Sequence, residues 1–110
     1  MSTLRNKVQL IGHVGKDPEI MNFDSGKKKA SFSIATNESY KNAKGEKVED
    51  TQWHNIVLWG KTAEIAENYV SKGKEIGIEG KLTSRSYETK EGEKRYITEV
   101  VGNELLLLGK

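Results

Sequence analysis

The segment Trp53-His54-Asn55-Ile56-Val57-Leu58-Trp59 predicts a β-strand with two tryptophans on the same side. Side chains alternate between the two faces of a strand, so the odd-numbered residues of this segment share one face. Ile56 and Leu58 give the opposite face the character of a core, which leaves both indoles outside it. Large exposed aromatic side chains usually mark a binding surface, and flat rings suit flat ligands such as nucleic-acid bases.

Alternating apolar residues predict four more strands around this segment, at 6–14, 30–36, 75–87 and 95–101, with 104–108 as a possible extension of the last. Residues 37–50 are polar, contain Gly45 and lack periodicity, which predicts a long loop. Residues 88–94, with Gly92, predict a hairpin loop between the last two strands.

Residues 61–72 change to a helical period. The predicted apolar stripe consists of Ile65, Ala66, Tyr69 and Val70. Thr62 is the predicted N-cap, and Lys72 followed by Gly73 predicts the end of the helix. Three strands, a helix and two strands is the order of an OB-fold, a partly open Greek-key barrel. The predicted fold is therefore all-β, a five-stranded OB-fold barrel with one short helix between the third and fourth predicted strands.

Composition limits the classes that fit this chain. Its 110 residues suffice for one domain with one core. The hydrophobic fraction of 35% is low for a monomer, which favours a core partly completed by self-association, and a net charge of +2 does not by itself indicate a nucleic-acid partner. Cysteine is absent, which excludes disulfides and thiolate zinc sites, and His13 and His54 lack the spacing of a metal pair. We therefore predict no metal and no cofactor.

The chain shows neither a membrane-spanning segment nor a secretion signal. No apolar run approaches the ~20 residues of a membrane span. The first six residues lack the apolar core of a secretory signal. We therefore expect a cytoplasmic protein.

Four aromatic residues lie away from the predicted core faces, whereas Phe32, Tyr69 and Tyr96 are assigned to the core. The four predicted stacking residues are Tyr40, Trp53, Trp59 and Tyr87. They are interleaved with the predicted phosphate-contacting residues Lys41, Lys61, Lys81 and Arg85. One exposed tyrosine is usually a packing residue, but four rings among four cations favour a surface that stacks bases and attracts phosphates.

Other motifs favour ordinary structural roles. The basic run 27–29 fits a solvated turn, and the GxxG pattern of Gly12 and Gly15 fits strand bends better than the loop of a KH domain. His54 falls on the side of Ile56 and fits a buried or interface histidine. No phosphate loop or nucleophile elbow is present and the acidic residues are scattered, so no enzyme is predicted.

The chain resembles the bacterial single-stranded DNA-binding protein (SSB) family over nearly its whole length. The matching strings are 6–8, 12–19, 35–40, 51–54, 60–64, 69–73, 78–82 and 95–101. Their order and spacing together are highly specific. The resemblance implies an OB-fold, usually a homotetramer, that coats single-stranded DNA during replication, recombination and repair.

The resemblance also implies roles for individual residues. The family's stacking aromatics fall on the same four rings, with tyrosine at 40 and 87 where tryptophan is common and Trp59 where phenylalanine is common. The family's cations that contact the DNA backbone match Lys41, Lys61, Lys72 and Arg85 of this chain. Lys81 is inferred from its position on the same face of the strand and not from the family. Asn55 stands where arginine is frequent, so one cationic contact is missing. His54 matches a histidine at a contact between subunits.

Typical members of this family continue into a flexible linker with an acidic tip that recruits replication and repair enzymes. Residues 109–110 fall where that linker would begin, so the expected domain spans 1–110 without the acidic tail, and these residues do not predict recruitment of those enzymes. Two other functions stay open at this point. One is an OB-fold accessory subunit of a replication-restart complex with weak nucleic-acid binding, and the other is a small nuclease. Binding of RNA also stays open, because no reader of the 2′-hydroxyl is identified.

Overall fold

A computed structural model describes residues 4–108 as six strands and one helix. The elements are β1 (Val8–Val14), β2 (Glu19–Asn22), β3 (Lys28–Lys41), β4 (Lys47–Trp59), α1 (Gly60–Tyr69), β5 (Glu75–Glu88) and β6 (Lys94–Leu107). The sheet order is β1-β5-β6-β4-β3-β2, and a further pairing of β1 with β3 closes a barrel of β1, β3, β4, β5 and β6. The pairings are antiparallel except for the parallel contact between β4 and β6.

The predicted five-stranded OB-fold barrel is confirmed. Its helix lies between β4 and β5, which are the third and fourth of the predicted strands. The core fills the barrel with the side chains that the alternation of β3, β4 and β5 turns inward. The largest fully buried side chains are Ile34, Ile56, Leu58 and Ile76. Helix α1 buries Ala63 and Ala66 against the barrel.

The predicted long loop at 37–50 is wrong. β3 and β4 pair without a break from Lys29 opposite Trp59 to Lys41 opposite Lys47, so this region is an extended hairpin. Most of its side chains on both faces are exposed. Because neither face packs on a core there, the polar sequence carries no alternating pattern that would have indicated strands. The short strand β2, paired with the start of β3, was also not predicted.

Three hairpin turns share one design. In each five-residue loop the backbone N–H of the first residue donates to the carbonyl oxygen of the fifth residue. The fourth residue is a glycine, and its N–H donates to the carbonyl oxygen of the first residue. The loops are 23–27, 42–46 and 89–93. Their glycines, Gly26, Gly45 and Gly92, have φ values of 88°, 81° and 83°. This left-handed conformation is open to glycine and unfavourable for other residues.

The helix differs from its prediction at both ends. It begins at Gly60, two residues before Thr62, and its N-cap is Trp59, which makes no side-chain cap hydrogen bond. It ends at Tyr69 rather than at 72. The predicted stripe is partly wrong, because Ile65 is 42% exposed and Tyr69 is 56% exposed.

Tyr96 and Val57 also differ from their predictions. Tyr96 is 72% exposed, because it lies on the part of the β5–β6 hairpin that extends past the core. Val57, predicted on the exposed face between the indoles, is buried. Phe32 is buried, as predicted.

Candidate nucleic-acid interface

Strand β4 holds Trp53 and Trp59 on one face, as predicted, and both indoles are open to solvent. Trp53 is 62% exposed and Trp59 is 43% exposed. The six residue steps from Trp53 to Trp59 span about 20 Å at the rise of an extended strand. Asn55 is exposed between them, whereas Val57 is covered. The indoles therefore form two separate stacking surfaces rather than one.

A groove of about 290 Å³ crosses this face, and we call it the central groove. Its lining residues are Lys16, Glu19, Lys29, Ser31, Phe32, Ser33, Asn55, Ile56, Arg85, Ile97 and Glu99. The antiparallel register places Ser33 opposite Asn55 and Lys29 opposite Trp59, so the outer faces of β3 and β4 form its floor. Its wall comes from the β5–β6 hairpin. The groove thus lies between the two indoles.

The charges of the central groove are mostly paired. Arg85 donates two hydrogen bonds to Glu99, Nε to Oε1 at 3.0 Å and Nη2 to Oε2 at 3.3 Å. The hydrogen bond to Glu99 is the main cause of a raised pKa for Arg85. Lys16 lies 3.5 Å from Glu19. The groove therefore offers cations to a ligand, but two of its three cations already have a carboxylate partner.

Gly15 makes room for Trp53. A Cβ atom at Gly15 would lie 2.5 Å from the Trp53 ring and 3.0 Å from Ser33 Oγ. The first distance is shorter than real Cβ contacts, so a side chain at position 15 would have to displace the indole. Gly15 of the GxxG pattern therefore has a second role besides the predicted bend, because it leaves space for the Trp53 indole.

The other two predicted stacking residues are exposed on the hairpins. Tyr87 is 47% exposed and, by alternation along β5, shares the side of Arg85. Tyr40 is 56% exposed near the tip of the β3–β4 hairpin, opposite Val48. Because the pairing of β3 with β4 has no break, alternation places Tyr40 on the side opposite to Trp53. The structure therefore brings Trp53, Trp59 and Tyr87 to one side and leaves Tyr40 apart.

The four predicted lysines are all exposed, but they are dispersed. Lys81 precedes Arg85 on the same side of β5, and Lys61 lies in the first turn of α1, directly after Trp59 and Gly60. The backbone N–H of Lys72 donates to Asp17 Oδ1 at 2.8 Å. Lys41 lies opposite Lys47 at the end of the hairpin. Among the predicted cations, Arg85 is the one that lines the central groove.

His54, predicted as a subunit contact, is half-buried and already has a partner in its own chain. Its Nε2 lies 3.0 Å from Thr36 Oγ1. In the register of the hairpin it lies opposite Ile34, on the core side of β4.

Sequence reasoning missed two residues of this surface. Phe23 stacks on Trp59 with ring centroids 5.9 Å apart and an interplanar angle of 24°. Lys29 places its Nζ 5.7 Å from the centroid of Trp59. The basic run at 27–29 was the available sequence signal for Lys29, because Lys29 is one of its three lysines. Between residues 4 and 108 no three His, Asp or Glu side chains come close enough to hold a metal ion.

An OB-fold barrel with two exposed indoles beside a polar, cation-bearing groove has the geometry of an oligonucleotide-binding domain. Residues 5–108 match the model of the Single-strand binding protein family. The chain belongs to that family.

Curated relatives carry corresponding names. The chain is 46% identical over 105 residues to Single-stranded DNA-binding protein 1 of Chlorobaculum tepidum, matching 94% of this chain and 65% of that protein. It is 43% identical over 104 residues to the Single-stranded DNA-binding protein of Neisseria meningitidis, with 94% of this chain and 60% of that protein covered. The chain thus spans less than two-thirds of the length of these two relatives.

A solved structure agrees with the fold. The Plasmodium falciparum SSB, solved as a complex with ssDNA, is similar with a TM-score of 0.89 and 31% identity, and the match covers 99% of both chains. Among the described residues no helix is long and apolar enough to cross a membrane.

Proposed function

We propose that this chain binds single-stranded DNA without sequence preference and thereby protects and organises it during replication, recombination and repair. The observation that carries the proposal is the pair of exposed indoles, Trp53 and Trp59, on the face of β4 that also contributes Asn55 to the central groove. The names of the relatives and the ssDNA complex of the Plasmodium protein support it.

The mechanism combines stacking with electrostatic attraction. An unpaired base presents a flat π-face to an indole, and each such contact is worth roughly 1–3 kcal/mol whatever the base. Lysines and arginines attract the phosphates, which makes the affinity depend on salt. In a duplex the bases are stacked on each other and cannot lie on Trp53 or Trp59. Discrimination against duplex DNA follows from this geometry.

We assign the remaining predicted residues supporting roles in the same proposal. Tyr87 adds a stacking ring beside Arg85. Tyr40 stacks on a base where the single-stranded DNA passes over the β3–β4 hairpin, away from the central groove. The exposed lysines attract phosphates around the groove. These lysines are Lys41, Lys61, Lys72 and Lys81.

The proposed action is binding without catalysis, in the cytoplasm at the nucleoid, and it requires no cofactor. Proteins of this family act by holding DNA. An accessory subunit with weak nucleic-acid binding would have no need for exposed rings beside a cation-bearing groove, so the observed surface favours the DNA-binding role.

We also propose that the chain associates with itself, as a homotetramer. The outer face of β1, β5 and β6 has an apolar recess of about 450 Å³, in which Ile11 is 60% exposed and Leu106 is 58% exposed. In the described part of the chain, β1 pairs with β3 only at His13 and Val14, so most of its second edge has no strand partner. A second copy would cover both features. His54 keeps its predicted role as a subunit contact within this proposal.

The experiment is a titration of labelled oligothymidylate with the Trp53→Ala variant. We expect binding to weaken by roughly 1–3 kcal/mol, because a stacking surface is lost. The fold should persist, since Trp53 is mostly exposed. Tyr69→Ala is the control, because Tyr69 is a similarly exposed ring on helix α1. Unchanged affinity for Trp53→Ala would contradict the proposed surface.

A further inference from the structure

The β2–β3 turn places an aromatic ring against the end of the central groove. Phe23, the first residue of that turn, stacks on Trp59 at 5.9 Å. Neither ring is enclosed, with Phe23 40% exposed and Trp59 43% exposed. A pair of rings held for packing alone would be expected to bury more of its surface. Each ring here keeps a large part of its surface available to a ligand.

The turn itself does not require a phenylalanine. In the two other loops of the same design, the first residue is polar and its side chain bonds the loop. Asn42 Oδ1 accepts from the N–H groups of Lys44 and Glu46, and Thr89 Oγ1 accepts from the N–H of Glu93. Phe23 occupies the equivalent position and cannot make such a bond. The ring is therefore explained by its contact with Trp59 and not by the turn.

Alternation connects Phe23 to the central groove. Glu19 and Met21 of β2 lie opposite Ser31 and Lys29 of β3, on the groove side of the sheet. Phe23, two residues after Met21, continues the same side. A base leaving the groove past Trp59 would meet the ring of Phe23 next.

A cation completes this end of the surface. The Nζ of Lys29 lies 5.7 Å from the Trp59 centroid, on a residue that also lines the groove. A phosphate linked to a base on these rings would find a positive charge within reach. Lys28, the neighbouring cation, is paired with Glu67 of helix α1, which ties the turn to the barrel.

We propose that Phe23 and Trp59 together form a two-ring site for an unpaired nucleobase, with Lys29 as the cation for its phosphate. The site extends the path of single-stranded DNA beyond the central groove onto the β2–β3 turn. This inference rests on the proposed function, because it assigns a further position on the same strand of DNA.

The test measures the affinity of Phe23→Asn and Phe23→Leu for labelled oligothymidylate. Asparagine reproduces the residue of the 42–46 loop, so the turn loses the ring and gains a side chain that can bond the loop, which favours a folded turn. Leucine keeps an apolar side chain and loses the π-face. We expect both variants to bind about 5- to 20-fold more weakly, which is the lower part of the range for one stacked base. Phe23→Trp should bind at least as tightly as the unchanged protein.

The control is Tyr96→Ala, which removes another exposed ring with a lysine 5.9 Å from its centroid but on the far side of the β5–β6 hairpin. Its affinity should stay unchanged. Melting temperatures check that each variant is folded. If the unchanged protein binds and either Phe23 variant binds equally well, the two-ring site is wrong while the proposed function stands. An equal loss in Tyr96→Ala would also overturn the site. If the unchanged protein does not bind at all, the proposed function itself fails.

Discussion

At the scale of the residue, Glu99 places a carboxylate where a nucleic-acid backbone would pass. Its side chain is only 11% exposed and accepts both hydrogen bonds from Arg85. The guanidinium has five N–H donors, so Arg85 can contact a phosphate while it stays bonded to Glu99. The carboxylate nevertheless repels that phosphate. We therefore expect Glu99 to lower the affinity of the groove for a polyanion.

We expect Glu99→Gln to bind oligothymidylate about 2- to 5-fold more tightly at low salt, because Arg85 loses its counter-charge. The dependence of affinity on salt should also become steeper, by up to about 0.7 in the log–log slope for one further phosphate contact on a single strand. Titrations at several salt concentrations measure both. Glu91→Gln, an exposed carboxylate in the 89–93 loop and outside the groove, is the control.

Weaker binding by Glu99→Gln, with the salt slope unchanged, would contradict this interpretation. It would show that Glu99 acts by orienting Arg85 and not by repelling phosphate.

Residues on strands that pack against the core were the ones that sequence could locate. The exposed Trp53 and Trp59 followed from simple alternation, because Ile56 and Leu58 identify the inner face. Phe23 could not be found in this way, since β2, the strand whose alternation continues to Phe23, was not predicted. The Arg85–Glu99 pair is diagonal across two strands, and its partners are 14 residues apart. Sequence alone does not give the register that joins them.

At the scale of the element, the hairpins account for most of what sequence misplaced. The predicted loop at 37–50 has a clear turn signal in Asn42 and Gly45, but its strands carry exposed polar side chains on both faces. Backbone hydrogen bonds, and not burial, hold these strands together. Tyr96 was assigned to the core because the sequence of its strand alternates as a half-buried strand does. That part of the β5–β6 hairpin extends beyond the core, so Tyr96 is exposed.

The β2–β3 turn is fastened to helix α1 by the ion pair of Lys28 with Glu67. The hydrogen bond to Glu67 is the main cause of a raised pKa for Lys28, above the usual 10.5. A lysine pKa that is raised by folding stabilises the folded state fully at pH values below the unfolded pKa. That stabilisation is lost as the pH rises through the folded pKa.

Glu67→Gln should therefore lower the melting temperature by a constant small amount at neutral and mildly alkaline pH, with the difference shrinking once the pH has risen above the usual lysine pKa of 10.5 and through the raised pKa of Lys28. The effect is small because solvent screens both groups. Thermal melts across this range measure it, with the exposed Glu91→Gln as control. A difference that grows above the pKa of lysine would contradict the assignment to this ion pair.

At the scale of the whole molecule, one barrel presents two separate surfaces. The central groove and its indoles lie on the outer face of β3 and β4, and the apolar recess lies on β1, β5 and β6. The low hydrophobic content of the chain predicted that its core would be partly completed by self-association. The location of the apolar recess could not be predicted, because Ile11 lies off the inward-facing side of β1 and Leu106 lies beyond the last clear periodic strand.

Ile11→Asp tests the proposed self-association. In a symmetric interface each substitution acts twice, and two carboxylates would approach each other in an apolar recess. We expect the mass measured by light scattering to fall from that of an oligomer towards that of one chain. Ile65→Asp, which changes an exposed apolar residue of helix α1, should leave the mass unchanged. A monomeric unchanged protein, or an Ile11→Asp variant of full oligomeric mass, would contradict the proposed interface.

The proposed function requires that unpaired bases lie on indoles that the barrel leaves open. The most direct test follows the emission of Trp53 and Trp59 while the unchanged protein is titrated with oligothymidylate and, separately, with a duplex of the same length, at low and high salt. We predict that the single strand quenches the emission with an affinity that falls as salt rises, and that the duplex leaves the emission nearly unchanged. Equal quenching by the duplex, or none by the single strand, would contradict the proposed function.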